Sequence, residues 1–322
     1  MEEKIKKGAS EKSARAVIAN ARGAEAIHVL FEGAERERMD SFLAGRFPDY
    51  SRSYFQKLVH NDKIFVNGKS VLPSCKLKQG DEISVIFEQE EAYDGIKPEK
   101  IKLDIVYEDN DIILINKRPG IVVHPSYGHP SGTLLNALMY HAKGKYVPFM
   151  VHRLDKDTSG IIIFAKNEKA KISISKQLQK RTVKKIYYAA VKGTIVENRG
   201  RIEAPLGRSP ENRKIMTVNP SAKKMAITEF KVIKRKRDCT LTEVRIITGR
   251  THQIRSHMKY INHPVIGDAQ YGGPERIEDK EYKRQMLHAY SVTFTHPKTC
   301  KTAEFHAELP SDMKEIFNKG DA

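Results

Sequence analysis

His152-Arg153-Leu154-Asp155-Lys156-Asp157-Thr158-Ser159-Gly160, running directly into Ile161-Ile162-Ile163-Phe164-Ala165, decides how this chain is read. Five consecutive apolar residues predict a buried strand. The polar stretch before it then sits at a strand end, where loops carry function. There Asp155 is flanked by Arg153 and Lys156, and nearby cations favour an ionised carboxylate. Such a carboxylate with one open face can act as a nucleophile. The competing reading, for any isolated loop aspartate, is a turn cap.

Outward from this point, strands alternate with helices. Asp111 to Lys117 reads as a second buried strand, closed by the turn Pro119-Gly120. Thr133 to His141 has a helical apolar period, and Lys169 to Lys180 predicts a basic helix. Tyr187 to Val191 predicts a strand, and Met225 to Ile233 with Thr240 to Ile247 a long antiparallel pair. Thr251 is placed to cap a short helix reaching about Tyr260, and two final strands surround Pro297. The fold class expected is α+β, with a largely antiparallel mixed sheet flanked by helices.

Upstream, the first 27 residues are polar, of mixed charge, and read as a mobile leader. Residues 28–92 predict a small separate α/β unit. Its first helix carries Met39, Phe42, Leu43 and Phe47 and is stopped by Pro48; Ser51 or Ser53 is placed to cap the second. Ile64-Phe65-Val66 then enters Asn67-Gly68, a two-residue hairpin signal, and Glu82 to Phe87 closes the unit. A charged linker, 93–102, precedes the main domain, 103–318.

Composition narrows the partner. The 322 residues hold 57 Lys and Arg against 40 Asp and Glu, a net charge of +17. That excess favours a polyanion, nucleic acid or an anionic membrane. No apolar run approaches the roughly 20 residues of a spanning helix, and no signal peptide is seen. Between Glu168 and Lys185, seven of the charged residues are Lys or Arg and one is acidic, a bias suited to phosphates. Cys75, Cys239 and Cys300 are too scattered for a disulfide framework or zinc cluster and read as reduced cytosolic residues. His252 and His257 lack the Glu of a zinc-binding His-Glu-x-x-His helix, so no metal is expected.

Two resemblances follow from motifs. Arg38-Met39-Asp40, Ser51-Arg52, Gln56, Val66-Asn67-Gly68 and Leu77 to Ile83 resemble an S4 domain, a small RNA-binding module. Asn61-Asp62 stands where that family has Gly. The resemblance implies RNA contacts by Arg38, Ser51, Arg52, Gln56 and Lys57.

Residues 101–310 resemble the RluA/RluD family of RNA pseudouridine synthases. The resemblance rests on Asn116 to Pro125, His152 to Gly160, Lys185-Ile186-Tyr187, Thr248 to His257 and Leu287-His288-Ala289. It implies the pseudouridine synthase fold and isomerisation of uridine in RNA, without metal or organic cofactor. It further implies that Asp155 is the nucleophile and that Tyr187 stacks on the target uracil. Arg255 would pair with Asp155, Arg250 being second choice. Arg153 would fill the space of the flipped nucleotide and Leu287 would floor the base pocket, with His152 and Arg250 as further substrate contacts. Large-subunit ribosomal RNA is the expected substrate, for a cytoplasmic monomer. Transfer RNA, or a non-catalytic RNA-binding assembly factor, are the alternatives.

Overall fold

The computed structural model describes residues 15–19, 25–33, 36–48, 50, 52–87, 96–126, 128–277 and 279–318. The chain divides into two units, Met1–Glu91 and Ala92–Ala322.

In the first unit, β1 (Arg15–Ala19) and β2 (Glu25–Leu30) precede α1 (Met39–Arg46) and α2 (Arg52–His60). β3 (Ile64–Val66), β4 (Lys69–Ser70) and β5 (Glu82–Ile86) follow, giving a sheet of order β1-β2-β5-β3-β4. The Asn67-Gly68 turn joins β3 to β4 as expected, with φ of 51° and 74° at its two residues. Two strands occupy parts of the segment expected as a leader, because β2 pairs with β5 from Ala26↔Ile86 to Leu30↔Glu82 and satisfies its backbone there. The rest of that segment lies outside the described residues, as does Ser51. Ser53 sits within α2 and therefore does not cap it. Met39, Leu43, Phe55, Leu58, Leu77, Ile83 and Val85 form this unit's own core.

The second unit begins with coil. Residues 96–102, expected as linker, lie along the main domain: Asn136 donates from Nδ2 to Lys97 O, and Glu99 N–H donates to Asn136 O. β6 (Ile105–Glu108) and β7 (Ile112–Lys117) lead to α3 (Leu134–Ala142), β8 (Phe149–Met150), β9 (Ser159–Ala165) and α4 (Glu168–Gln179). Next come β10 (Lys184–Lys192), β11 (Arg199–Arg208), β12 (Met216–Val218), β13 (Met225–Arg235), β14 (Cys239–Ile246) and α5 (Gln253–Tyr260). β15 (Arg276–Ile277), β16 (Lys280–Glu281), β17 (Leu287–Thr295), β18 (Thr302–His306) and α6 (Ser311–Asn318) complete the unit.

The main sheet runs β12-β11-β13-β14-β10-β17-β9-β7-β6, with β18 beside β17 and β8 beside β9. All seven residues of β9 are buried, and α3 and α4 add Leu134, Leu135, Leu138, Ala170 and Ile174 to its core. Burying each such aliphatic side chain is worth about 1.5–3 kcal/mol. On the other side, α6 inserts Met313 and Ile316 beside Leu241, Tyr282 and Met286. The expected α+β class with a largely antiparallel mixed sheet is what the chain forms.

One seam in this sheet is short. β9 and β17 pair in parallel through only Ser159↔His288 and Gly160↔Ala289. Past these pairs β17 continues beside β18, so the sheet forks. Gly160 has φ +111°, and a Cβ there would lie 2.2 Å from Ala289 O. Only glycine fits. Gly160→Ala should therefore cost about 3 kcal/mol or more, read as a lowered urea midpoint. A midpoint within experimental error of wild type would show that the seam can part without cost.

Candidate active site

The loop 155–158 ends at that seam and is held from several directions. Lys117, 1% exposed at the end of β7, donates from Nζ to Arg118 O (2.9 Å), Ile121 O (3.0 Å) and Lys156 O (2.7 Å). Burial pulls its pKa down to about 7, which the nearby charges of Asp157 and Asp155 oppose. Gly120 N–H also donates to Lys156 O. Arg284 Nη1 donates to Asp157 O at 3.1 Å while its Nε and Nη2 grip Asp312 of α6. Gln285 Nε2 reaches Thr158 Oγ1 at 3.2 Å.

Asp155 thereby opens into a cleft of about 570 Å³. Tyr187, Leu287, Arg153, His152, Arg250 and Arg255 line it too, so all seven residues expected at the site come together. Arg255 Nη1 donates to Asp155 Oδ2 at 3.2 Å. Its other edge is fixed by Asp268, through Nε to Oδ2 (2.6 Å) and Nη2 to Oδ1 (2.8 Å), and Nη2 also reaches Gln270 Oε1 (2.8 Å). The guanidinium lies 4.7 Å over the Tyr271 ring. A guanidinium fixed at three points is a rigid holder for a carboxylate.

Arg255 can reach this position because α5 is anchored by its own polar residues. Gln253 donates to Ile227 O and Thr228 Oγ1 and accepts from Thr248 Oγ1 and Arg250 N–H. The expected Thr251 cap is not used. His252 is the residue before the helix, at φ 52°, and makes no cap hydrogen bond. Gln253 instead closes the entry turn. That strained backbone places the His252 ring between Tyr271 Oη, 2.9 Å from Nδ1, and Asp155 Oδ1, 3.8 Å from Nε2. Tyr271 Oη already accepts from Met216 N–H, leaving its own proton for His252 Nδ1.

Tyr187, on β10, is buried, and burial with the nearby Asp155 charge raises its pKa, so the phenol keeps its proton. His152 Nε2 accepts from Ile163 N–H at 3.1 Å, continuing the edge pairing where β8 stops. Burial, then the Lys185 charge, lowers this imidazole's pKa to about 3, so it is neutral. Arg153 is exposed, and Arg250 donates from Nε to Met225 O. Asp155 also borders a second cavity of about 460 Å³, beyond Arg153 and His252. Among the described residues no group of His, Cys, Asp or Glu is placed to hold a metal, and no helix is long and apolar enough to cross a membrane.

Asp268, Tyr271, Gln270 and Lys117 escaped sequence reasoning. The available signal was Gly267-Asp268 with Gly272-Gly273 close behind. A Cβ on Gly267 would lie 1.9 Å from Arg284 O, and one on Gly273 1.8 Å from Val265 O, so this acid is held in a tightly packed turn.

In the first unit, Asp40 is fully buried. Arg38 (Nη2, 3.0 Å), Arg52 (Nε, 3.0 Å) and Gln56 (Nε2, 2.7 Å) all converge on its Oδ2. The two arginine side chains remain 41% and 49% exposed, so their outer edges stay open to solvent. Lys57 is exposed on α2, and Ser51 is not among the described residues.

Comparison with known proteins agrees with both units. Residues 111–260 match the RNA pseudouridylate synthase family and residues 37–83 match the S4 domain. An uncharacterized RNA pseudouridine synthase of Bacillus subtilis is 44% identical over 292 residues, covering 89% of this chain and 95% of that protein. The ribosomal large subunit pseudouridine synthase D of Pasteurella multocida is 40% identical over 294 residues, 87% and 90% of the two chains. Among solved structures, human RNA pseudouridylate synthase domain containing 1 aligns with a TM-score of 0.55 and 29% identity over 65% of this chain and 84% of that one.

The Asp40 cluster makes acid stability a test. Arg38 first, then Gln56 and Arg52, holds the Asp40 carboxyl below the usual carboxylate range. A depressed carboxyl stabilises the fold above its unfolded pKa, near 3.9, and loses that contribution as pH falls toward the folded value. Asp40→Asn should cost about 2 kcal/mol at pH 7. The gap from wild type should shrink between pH 5 and the acid limit of folding, measured by denaturant titration; a gap independent of pH would remove the ion cluster as its cause.

Proposed function

This chain belongs to the RNA pseudouridine synthase family and is an RNA-modifying isomerase, and we propose that it acts on large-subunit ribosomal RNA with Asp155 as nucleophile. The observation that carries the site assignment is the convergence of Asp155, Arg255, Tyr187 and Leu287 in one cleft. The ribosomal target is supported by the S4 domain and by relatives named for the large subunit. The three cysteines are free, as suits the reducing cytoplasm in which we place this protein.

The reaction breaks the N1–C1′ bond of uridine, turns the base and joins C5 to C1′. The C5 proton is lost and N1 gains one. A base inside a helix is out of reach, so the target nucleotide turns outward into the cleft. Tyr187 provides a flat face for the uracil and Leu287 an apolar floor. Asp155 Oδ2 is held by Arg255, which leaves Oδ1, whose near neighbour His252 is 3.8 Å away, as the attacking oxygen. Asp268 acts through Arg255 by fixing its angle. Arg153 occupies the position left by the displaced nucleotide, and Arg250 meets the substrate backbone. His152 supports the loop from behind.

Tritium release from RNA labelled at uracil C5 tests the assignment. Wild type should release label without added metal or cofactor, and Asp155→Asn should be slower by at least about 10³-fold with RNA affinity within about threefold. Label released by the variant at the wild-type rate would remove Asp155 as nucleophile, and release from transfer RNA alone would change the target. For the first unit, Arg52→Gln with Lys57→Gln should make log K against log [salt] shallower by about one to two, as expected for lost phosphate contacts. An unaltered slope would show that this face does not meet the RNA.

A further inference from the structure

The cleft also contains a cation that the steps above leave unused. Lys185 lies two residues before Tyr187 on β10, and the alternation of a strand turns both toward the same space. Its ammonium has no hydrogen-bond or ion-pair partner among the described residues. Burial alone lowers its pKa, to about 8. The groups around it supply no countercharge. The His152 ring is neutral. Gly249, between β14 and α5, offers only backbone, and Lys185 Nζ lies 3.4 Å from where a Cβ on it would be. Asp155 is the one carboxylate lining the cleft, and Arg255 holds it.

Lys185 is half-buried, and a cation partly withdrawn from water without a partner costs desolvation energy; such groups gather where a ligand supplies the missing charge. The cleft's other cations whose side chains have no partner among the described residues, Arg153 and Arg181, are exposed. Lys185 is set deeper, beside the tyrosine that faces the base. Resting on the function proposed above, we infer that Lys185 is a further catalytic residue, its ammonium donating to a carbonyl oxygen of the uracil and stabilising the negative charge the base acquires during isomerisation.

That charge arises by either order of bond changes. If N1–C1′ breaks first, its electron pair stays on the ring and spreads from N1 to O2 and O4. If the carboxylate first adds to the ring at C6, the electrons of the C5–C6 bond move to O4 as an enolate. In both, forming C5–C1′ consumes the charge and N1 is protonated; the C5 proton then departs and its electron pair restores the C5–C6 double bond, in the second order expelling the carboxylate from C6. A fixed donor at a developing oxyanion is worth about 10²–10³ in rate.

The test is single-turnover tritium release, with RNA affinity over a salt series, for wild type, Lys185→Met and Lys185→Arg. Lys185→Met should slow the saturated rate by about 10²–10³-fold while affinity stays within about threefold and the salt slope is unchanged. The wild-type alkaline limb near pH 8 should move above pH 9 in Lys185→Arg, whose guanidinium keeps its proton. A normal saturated rate with weaker binding and a slope shallower by about one would overturn the inference and make Lys185 a phosphate contact. Should Lys185→Met not fold, the Lys185→Arg profile decides, an unmoved alkaline limb being the overturning result. Absence of release by wild type would instead defeat the functional reading itself.

Discussion

Two residue pairs, Ser159↔His288 and Gly160↔Ala289, join the parallel edges of β9 and β17, and the cleft is built over that join. Everything that positions Asp155 depends on it. The buried His288 ring bonds Ser159 Oγ at 2.9 Å and Ala307 O at 3.1 Å, tying β9 to the segment after β18. The loop just before Ser159 is then fastened by both Lys117 and Arg284. An ammonium and a guanidinium serve because they present several donors to carbonyls that no neighbouring strand can reach. The seam brings Asp155, Leu287 and Tyr187 within one space although they come from three strands or strand ends.

The parts of this arrangement legible from the sequence are those whose physics is local. Ile161 to Ala165 and Ile112 to Ile115 announced buried strands, and Asn67-Gly68 announced its hairpin. Asp155 was legible as a charged residue at a strand end, but its partner Arg255 emerged only from the ordered motifs of the family. β11 was hidden because Gly200, Pro205 and Gly207 are poor strand formers, although Ile202, Ala204 and Leu206 all point inward. α6 escaped notice as a short amphipathic turn near the chain end. The parallel pairing of β9 with β17 spans well over a hundred residues, and no local pattern encodes it. The Asp268–Arg255 grip was invisible for a similar reason: the acid sits in a glycine-framed turn whose purpose appears only when α5 is in place. Thr251, a reasonable cap by composition, lost to Gln253, whose longer side chain satisfies both the turn and the adjacent strand.

Polar groups carry much of the burden at this site. Lys117, Arg255, Gln253, His257 and His288 are all buried, and each is bonded in more than one direction. Such networks are rigid when complete and costly when broken. Ser256 Oγ is the one buried side-chain oxygen without a partner among the described residues. The cleft therefore presents its carboxylate from a stiff background, with Arg153 and Arg181 exposed at its edge.

The Asp40 cluster has an analogous effect in the first unit, expressed in conformational entropy. Arg38 and Arg52 are long side chains that would ordinarily sample many rotamers, and immobilising each costs up to about 2 kcal/mol. Here folding has already frozen them, since a fully buried carboxylate grips both guanidinium groups from below. A polyanion reaching their open edges would meet charges already fixed in space, so little of its binding energy would go into ordering these two side chains.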